Sequence, residues 1–219
     1  MKTVFLQHDS QAWPINNIFC IGRNYAAHIA ELNHHPNERP LVFLKPTSAL
    51  HGEDTPITLP TFSTNVHYET ELLVLIGTGG KNIKPENALS HVAGYGIGLD
   101  LTARDLQEEA QMKGLPWTLA KGFDGSACVS RFIAAPDLPN VMECSFTMKL
   151  NGELRQHGEV TRMLFNLPTL ITYLSQAFTL NTGDLIFTGT PQGVGPLHNG
   201  DVLELDLANQ LSARFSVAR

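Results

Sequence analysis

The pair Glu69-Thr70-Glu71 is the most informative local feature of this sequence. In a strand, residues two apart point to the same face. Two like charges side by side repel, and at the mouth of an apolar strand they are costly unless something neutralises them. A divalent cation would do so. Asp100 closes a second apolar run, just before a predicted helix, and could bring a third carboxylate. Three carboxylate oxygens plus water describe a hard-cation site, Mg2+ or Mn2+, rather than zinc. The same spacing also suits a solvated strand edge, with Asp100 helping to cap the helix.

His28 and Glu31 are spaced i, i+3 on a predicted short helix and can face each other. A carboxylate can orient an imidazole and raise its basicity, the pairing that general-base chemistry uses. A surface ion pair has the same spacing. His67 lies two residues before Glu69, either as a supporting group or as a partly buried strand histidine. Arg23, Lys45, Arg104 and Lys121 each sit among uncharged or glycine-bearing neighbours. A cation so placed is salt-bridged or faces a ligand. Asp105 or Glu108 could pair with Arg104, and Asp124 with Lys121.

These side chains need a scaffold. Segments 17–22, 41–44, 67–76, 93–100, 184–188, 201–207 and 211–217 read as strands. Asn24 could cap a helix over 25–32, followed by a polar loop containing His34 and His35, a good mobile-loop candidate up to residue 40. Thr102-x-x-Asp105 looks like a capping box opening a helix that stops near Gly114. Strands over 145–150 and 153–157 flank Asn151-Gly152, a hairpin signal, and 168–178 is an apolar helix with Pro at its start. Hairpins outnumber strand–helix–strand units. The expected class is α+β, mainly β and largely antiparallel, with a few covering helices.

Two glycine-rich stretches resemble nucleotide loops only superficially. Gly94-x-Gly96-x-Gly98 lacks the dinucleotide spacing, and the loop from Gly189 to Gly195 lacks the Lys-Ser/Thr of a P-loop. Lys plus Arg is 15 and Asp plus Glu is 21 in 219 residues, a net charge of −6. That balance speaks against a nucleic-acid binder working by phosphate neutralisation. Any anionic ligand must therefore meet positive charge that is local. The length suits one domain, 1–219, or one domain with a small appendage, and can bury a substantial core. Three cysteines, far apart and never in C-x-x-C spacing, fit a reducing compartment, and Cys20 in its apolar run reads as a buried thiol. The N-terminus does not read as a signal peptide and no apolar run approaches membrane-spanning length, so a cytoplasmic protein is expected.

Taken in order, several motifs resemble the fumarylacetoacetate hydrolase family. They are Gly22-Arg23-Asn24-Tyr25-Ala26-Ala27-His28, Phe43-Leu44-Lys45-Pro46, Tyr68-Glu69-Thr70-Glu71-Leu72, Gly94-Tyr95-Gly96, Asp100-Leu101-Thr102-Ala103-Arg104-Asp105, Ala120-Lys121-Gly122-Phe123-Asp124 and Thr188-Gly189-Thr190-Pro191-x-Gly193-Val194-Gly195. The match runs from about 18 to 201 and is similar to the short, acylpyruvase-like branch. The resemblance implies a mixed β-sandwich roll, usually a homodimer, with Mg2+ or Mn2+ on Glu69, Glu71 and Asp100. It implies that His28 and Glu31 form a water-activating dyad on a lid segment, 24–40, and that Lys121 contacts the reacting oxygen. Arg23, Lys45, Gln107 and Thr190 would line or position the substrate pocket. The implied activity is cleavage of a carbon–carbon bond in 2,4-diketo acids, an acylpyruvate or fumarylpyruvate hydrolase. The alternatives are oxaloacetate decarboxylation or tautomerisation, 2-hydroxyhepta-2,4-diene-1,7-dioate isomerisation, or a non-catalytic keto-acid-binding protein. No nucleic-acid or membrane partner is expected.

Overall fold

The run Leu72-Leu73-Val74-Leu75-Ile76 is apolar at every position because both faces of its strand are covered. The computed structural model describes residues 2–31 and 38–218, without the side chains of residues 28–30. In it the strand Thr70–Ile76 lies inside a seven-stranded sheet. The order across that sheet is Leu41–Lys45, Ile18–Gly22, Leu185–Phe187, Thr70–Ile76, Val92–Asp100, Ala127–Ala134 and Leu50–His51. Two neighbouring pairs in it are parallel and the others antiparallel, so the sheet is mixed.

Leu72, Val74 and Ile76 enter the larger core with Phe146, Met148, Leu203, Leu205 and Phe215 of a five-stranded sheet. The helix Leu167–Ala177 adds Leu170, Ile171 and Leu174 to that core. Leu73 and Leu75 point the other way, against Cys20, Phe132, Phe187 and the N-terminal Val4 and Ile15. Period-two alternation thus feeds two cores from one strand. A three-stranded sheet of Thr102–Ala103, Val66–Tyr68 and Gly195–Pro196 joins the architecture, which is the mixed β-sandwich roll with few helices that was expected.

Gly98 faces Glu71 across the antiparallel pair. A Cβ there would stand 2.2 Å from the Cys128 carbonyl oxygen and 2.8 Å from Leu73 Cδ1. Backbone cannot yield as a side chain can, so Gly98→Ala is expected to destabilise the fold by roughly 3 kcal/mol or more. Thermal melting checks this; a variant that melts like wild type would contradict the close approach.

The structure corrects two local readings. Segment 67–76 is not one strand: Val66–Tyr68 belongs to the small sheet, Thr70–Ile76 to the large one, and Glu69 occupies the corner. The Glu69 carbonyl is held there by the Asp100 amide at 2.8 Å. The capping box at Thr102 does not form either. The helix is Arg104–Lys113 with Ala103 at its N-cap, and the Thr102 hydroxyl accepts from Lys121 Nζ instead. Asp105 is spent on Ser63 Oγ and the Thr64 and Leu106 amides. The helix does stop at Gly114, in the left-handed conformation at φ 65°. The hairpin turn is as expected, with Asn151 and Gly152 both at positive φ. A helix over Ala26–Glu31 is present, while 32–37, with His34 and His35, lie outside the described residues.

Candidate metal and substrate site

Glu69, Glu71 and Asp100 converge where the two sheets meet. Each offers a carboxylate oxygen within 4.8 Å of the others, and all three are buried. The solvated-edge reading of the pair therefore fails. Glu71 reaches this point from its strand, Asp100 from the end of the neighbouring strand, and Glu69 from the corner between sheets. Buried carboxylates need compensation. Lys121 Nζ lies 2.7 Å from Glu69 Oε2 and 2.8 Å from Asp100 Oδ2. Arg104 Nη2 lies 2.6 Å from Glu69 Oε1, and Lys45 Nζ lies 2.7 Å from Asp100 Oδ1. Lys45 also donates to the carbonyls of Leu101 and Lys121.

Glu71 is compensated least. Its Oε2 accepts the Gly189 amide at 2.7 Å. Burial, then the charges of Asp100 and Glu69, push its carboxyl well above the usual range. Burial alone would lower the Lys121 ammonium, but Asp100 and Glu69 overrule it and hold it above the ordinary lysine value. Lys121 is thus a charged donor. His67 is pushed down to about 4 by burial and then by Arg104, and its Nε2 is 2.9 Å from Asn65 Oδ1. It is a partly buried strand histidine whose partner is Asn65.

The donor set fits a hard divalent cation. Oxygen ligands converge, Glu71 is ionised only at a cost that a cation would remove, and Asp100 Oδ1 receives no aligned hydrogen bond from the described residues despite Lys45. Mg2+ and Mn2+ both meet these criteria.

A cleft opens over the three carboxylates, lined also by Arg23, Arg104, Gln107, Lys121 and Thr190. Arg23 holds a left-handed backbone conformation at φ 59° beside it. Gln107 Oε1 accepts from Arg104 Nη1 at 2.5 Å. Thr190 Oγ1 accepts from Gln156 Nε2 at 2.8 Å, and Gln156 Oε1 accepts the Thr70 amide at 2.9 Å. Glu31 closes onto the same loop, its carboxylate accepting the Gly193 amide at 3.0 Å. His28 lies on that helix, but its side chain is outside the described atoms. Asn24 ties the segments together by donating to the Thr188 and Phe165 carbonyls and accepting the Phe165 amide.

Residues 17–218 match the family model described as fumarylacetoacetate (FAA) hydrolase, C-terminal. The chain belongs to the fumarylacetoacetate hydrolase family. It is 46% identical over 203 residues to the mitochondrial oxaloacetate tautomerase FAHD1 of Mus musculus, covering 93% of this chain and 92% of that protein. The crystal structure of fumarylpyruvate hydrolase from Pseudomonas aeruginosa, in complex with Mn2+ and pyruvate, superposes with a TM-score of 0.95 at 34% identity, covering 99% and 95% of the two chains. The 2-hydroxyhepta-2,4-diene-1,7-dioate isomerase of Mycobacterium marinum is similar at a TM-score of 0.82 and 31% identity, covering 96% and 81%.

Of the expected site residues, Glu69, Asp100 and Lys121 form one ion-pair network, with a Glu71 carboxylate oxygen within 4.8 Å of the other two acids; Arg23, Gln107 and Thr190 line the cleft above it; Lys45 lies behind it, touching Asp100 and outside the cleft lining; Glu31 binds the Gly193 amide. Two partner assignments are corrected. Arg104 pairs with Glu69 rather than Asp105 or Glu108, and Lys121 with Glu69 and Asp100 rather than Asp124. Gln156 carries no local signal in the sequence, because its partners Thr70 and Thr190 lie 86 and 34 residues away. Arg104 carried a signal, a lone cation after Asp100, and its partner was the part that spacing concealed. Cys20 is buried, as expected, and so is Cys128. No helix among the described residues is long and apolar enough to cross a membrane.

Proposed function

We propose that this chain is a divalent-metal-dependent enzyme acting on 2-oxo acids through their enolates, with oxaloacetate keto–enol tautomerisation as its leading activity. The observation that carries the reading is a buried lysine, held cationic, bridging two of three convergent carboxylates under a cleft lined by arginines. Identity to the oxaloacetate tautomerase over almost the whole chain supports the choice of substrate.

Glu69, Glu71 and Asp100 would hold Mg2+ or Mn2+. Once bound, the ion supplies Lewis-acid stabilisation of the negative charge that an enolate places on its oxygen. Arg104 and Arg23 meet the substrate carboxylate, and Gln107 fixes the Arg104 guanidinium. Thr190, oriented by Gln156, adds a hydroxyl donor. Lys121 donates to the enolate oxygen once one of its three present acceptors, Glu69, Asp100 or Thr102, gives up its hydrogen bond, an exchange that a cation bound to the carboxylates would favour. Lys45 positions Asp100. His28 and Glu31 would move the proton at the reacting carbon. The protein is proposed to work as a homodimer in a reducing compartment such as the cytoplasm.

A second reading, hydrolysis of acylpyruvates, uses the same enolate machinery with water activated by His28 and Glu31. The likeness to the fumarylpyruvate hydrolase supports it. Loss of enol-oxaloacetate absorbance, with and without Mg2+ or Mn2+, tests the first reading. Release of pyruvate from acetylpyruvate tests the second. No acceleration of tautomerisation above that of free metal would overturn the leading assignment. In either case Glu31→Gln is expected to lower kcat by about 10²-fold or more while metal affinity, read by calorimetry, stays unchanged. Unchanged turnover would remove Glu31 from the proton path.

A further inference from the structure

Two lysines serve the carboxylate cluster, and each has an aromatic ring placed beside it by its own element. Phe43 precedes Lys45 by two residues on the strand Leu41–Lys45, so both point to one face. Trp117 precedes Lys121 by one turn, at the N-cap of the short helix Thr118–Lys121, and its carbonyl accepts the Lys121 amide at 2.9 Å. Both rings line the cleft. Their centroids are 6.0 Å apart at 62°, an edge-on contact. The Lys121 ammonium lies over the Phe43 ring, 5.0 Å from its centre.

Strand and helix are held at this distance by other contacts. Lys45 Nζ donates to the Lys121 carbonyl. A Cβ on Gly122 would stand 2.9 Å from Pro46 Cδ, so the end of the helix sits directly on the end of the strand. Phe43 itself is half-buried against the second core.

Glu69, Asp100 and Thr102 take all three donors of the Lys121 ammonium. One must be given up before the ammonium can serve an enolate oxygen. A polar side chain at position 43 would be a further competitor for those donors. A ring face attracts the charge without taking up a particular N–H, and it keeps water away. While both carboxylates hold the ammonium, they cancel most of its field at the ring. Once one is given up, more of that field reaches the ring face. The attraction therefore grows as the exchange occurs, and an interaction that strengthens on the way to the transition state raises kcat.

We infer that Phe43 is a positioning residue: its ring holds the Lys121 ammonium at the cleft during the exchange from carboxylate to substrate, and Trp117 braces the ring. The inference rests on the reading of Lys121 as donor to the enolate oxygen. It gives the aromatic wall a share in turnover and none in metal binding.

The test replaces Phe43 by 4-fluorophenylalanine and then by 3,4,5-trifluorophenylalanine, which drain negative charge from the ring face at nearly constant shape. With oxaloacetate, kcat is expected to fall stepwise, by about fivefold or more at the trifluoro ring. KM, the Mn2+ affinity read by calorimetry and the melting temperature are expected to stay at their wild-type values. Phe43→Leu, which keeps apolar bulk and has no π face, is expected to lose at least as much in kcat. A flat kcat across the fluorinated series, or a fall matched by the same loss in Mn2+ affinity or melting temperature, overturns the role. A second measurement needs no turnover. Oxalate, a planar dianion like the enolate of pyruvate, is titrated calorimetrically into each protein loaded with Mn2+. Affinity that weakens step by step with fluorination supports the role, even where oxaloacetate is not turned over and the tautomerase reading falls. Oxalate that binds every protein alike, or none of them, overturns it.

Discussion

Replacing Lys121 by Met is expected to lower turnover of oxaloacetate by roughly 10²–10³-fold while the protein still binds its divalent metal. The two effects separate because Lys121 competes with a metal for the same carboxylates. Its Nζ is within 2.8 Å of both Glu69 and Asp100, so its removal leaves more negative charge there for a cation. Metal-free Lys121→Met should lose stability by about 3–5 kcal/mol, the cost of stranding buried charges. Saturating Mn2+ should restore much of that loss by mass action. Denaturant unfolding with and without metal, beside steady-state kinetics, reads all of these. Loss of metal binding along with activity would make Lys121 a scaffold for the ion rather than a donor to substrate.

The opposite combination is expected of Glu71→Gln. Glu71 is the carboxylate whose charge the metal-free site supports least. Between the ordinary carboxylate value and its raised one, folded protein holds a proton that the unfolded chain has released. Stability of the metal-free protein therefore falls as pH rises through that window. Gln has no such proton to lose. Metal-free Glu71→Gln should melt higher than wild type at the alkaline end of the window, with a flatter dependence on pH. It should also bind Mn2+ roughly a hundredfold more weakly or worse, with activity lost in step. A variant that keeps tight Mn2+ binding would take Glu71 out of the ligand set. One whose melting follows the wild-type pH slope would show that the proton sits elsewhere.

Much of this arrangement was legible residue by residue. The apolar runs, the Asn151-Gly152 turn and the helix stop at Gly114 are local signals, and each lies within a residue or two of its place. The three carboxylates drew attention because like charges at the mouth of apolar strands demand an explanation. Spacing alone left them open to a solvated edge, and it took the ordered motifs to bring them together. What escaped was non-local. A corner at Glu69 looks like strand from either side, since nothing in Tyr68-Glu69-Thr70 forces a break. Lys45 faces Asp100 across 55 positions, and Arg104 meets Glu69 across 35. Near neighbours of opposite charge offered simpler pairings, which the fold declined.

The corner at Glu69 has a dynamic consequence. Glu71 and Asp100 ride on adjacent strands of the large sheet, whereas Glu69 also terminates the small one. An ion held by all three would clamp the small sheet to the large, and every opening of that joint would have to break a ligand bond first. Amide exchange should report this. Adding Mn2+ should slow exchange at Val66–Tyr68 and Thr102–Ala103 far more than in the core of Thr70–Ile76, where protection already reflects global unfolding. The ion at this corner would then act as a rivet between sheets as well as a reagent.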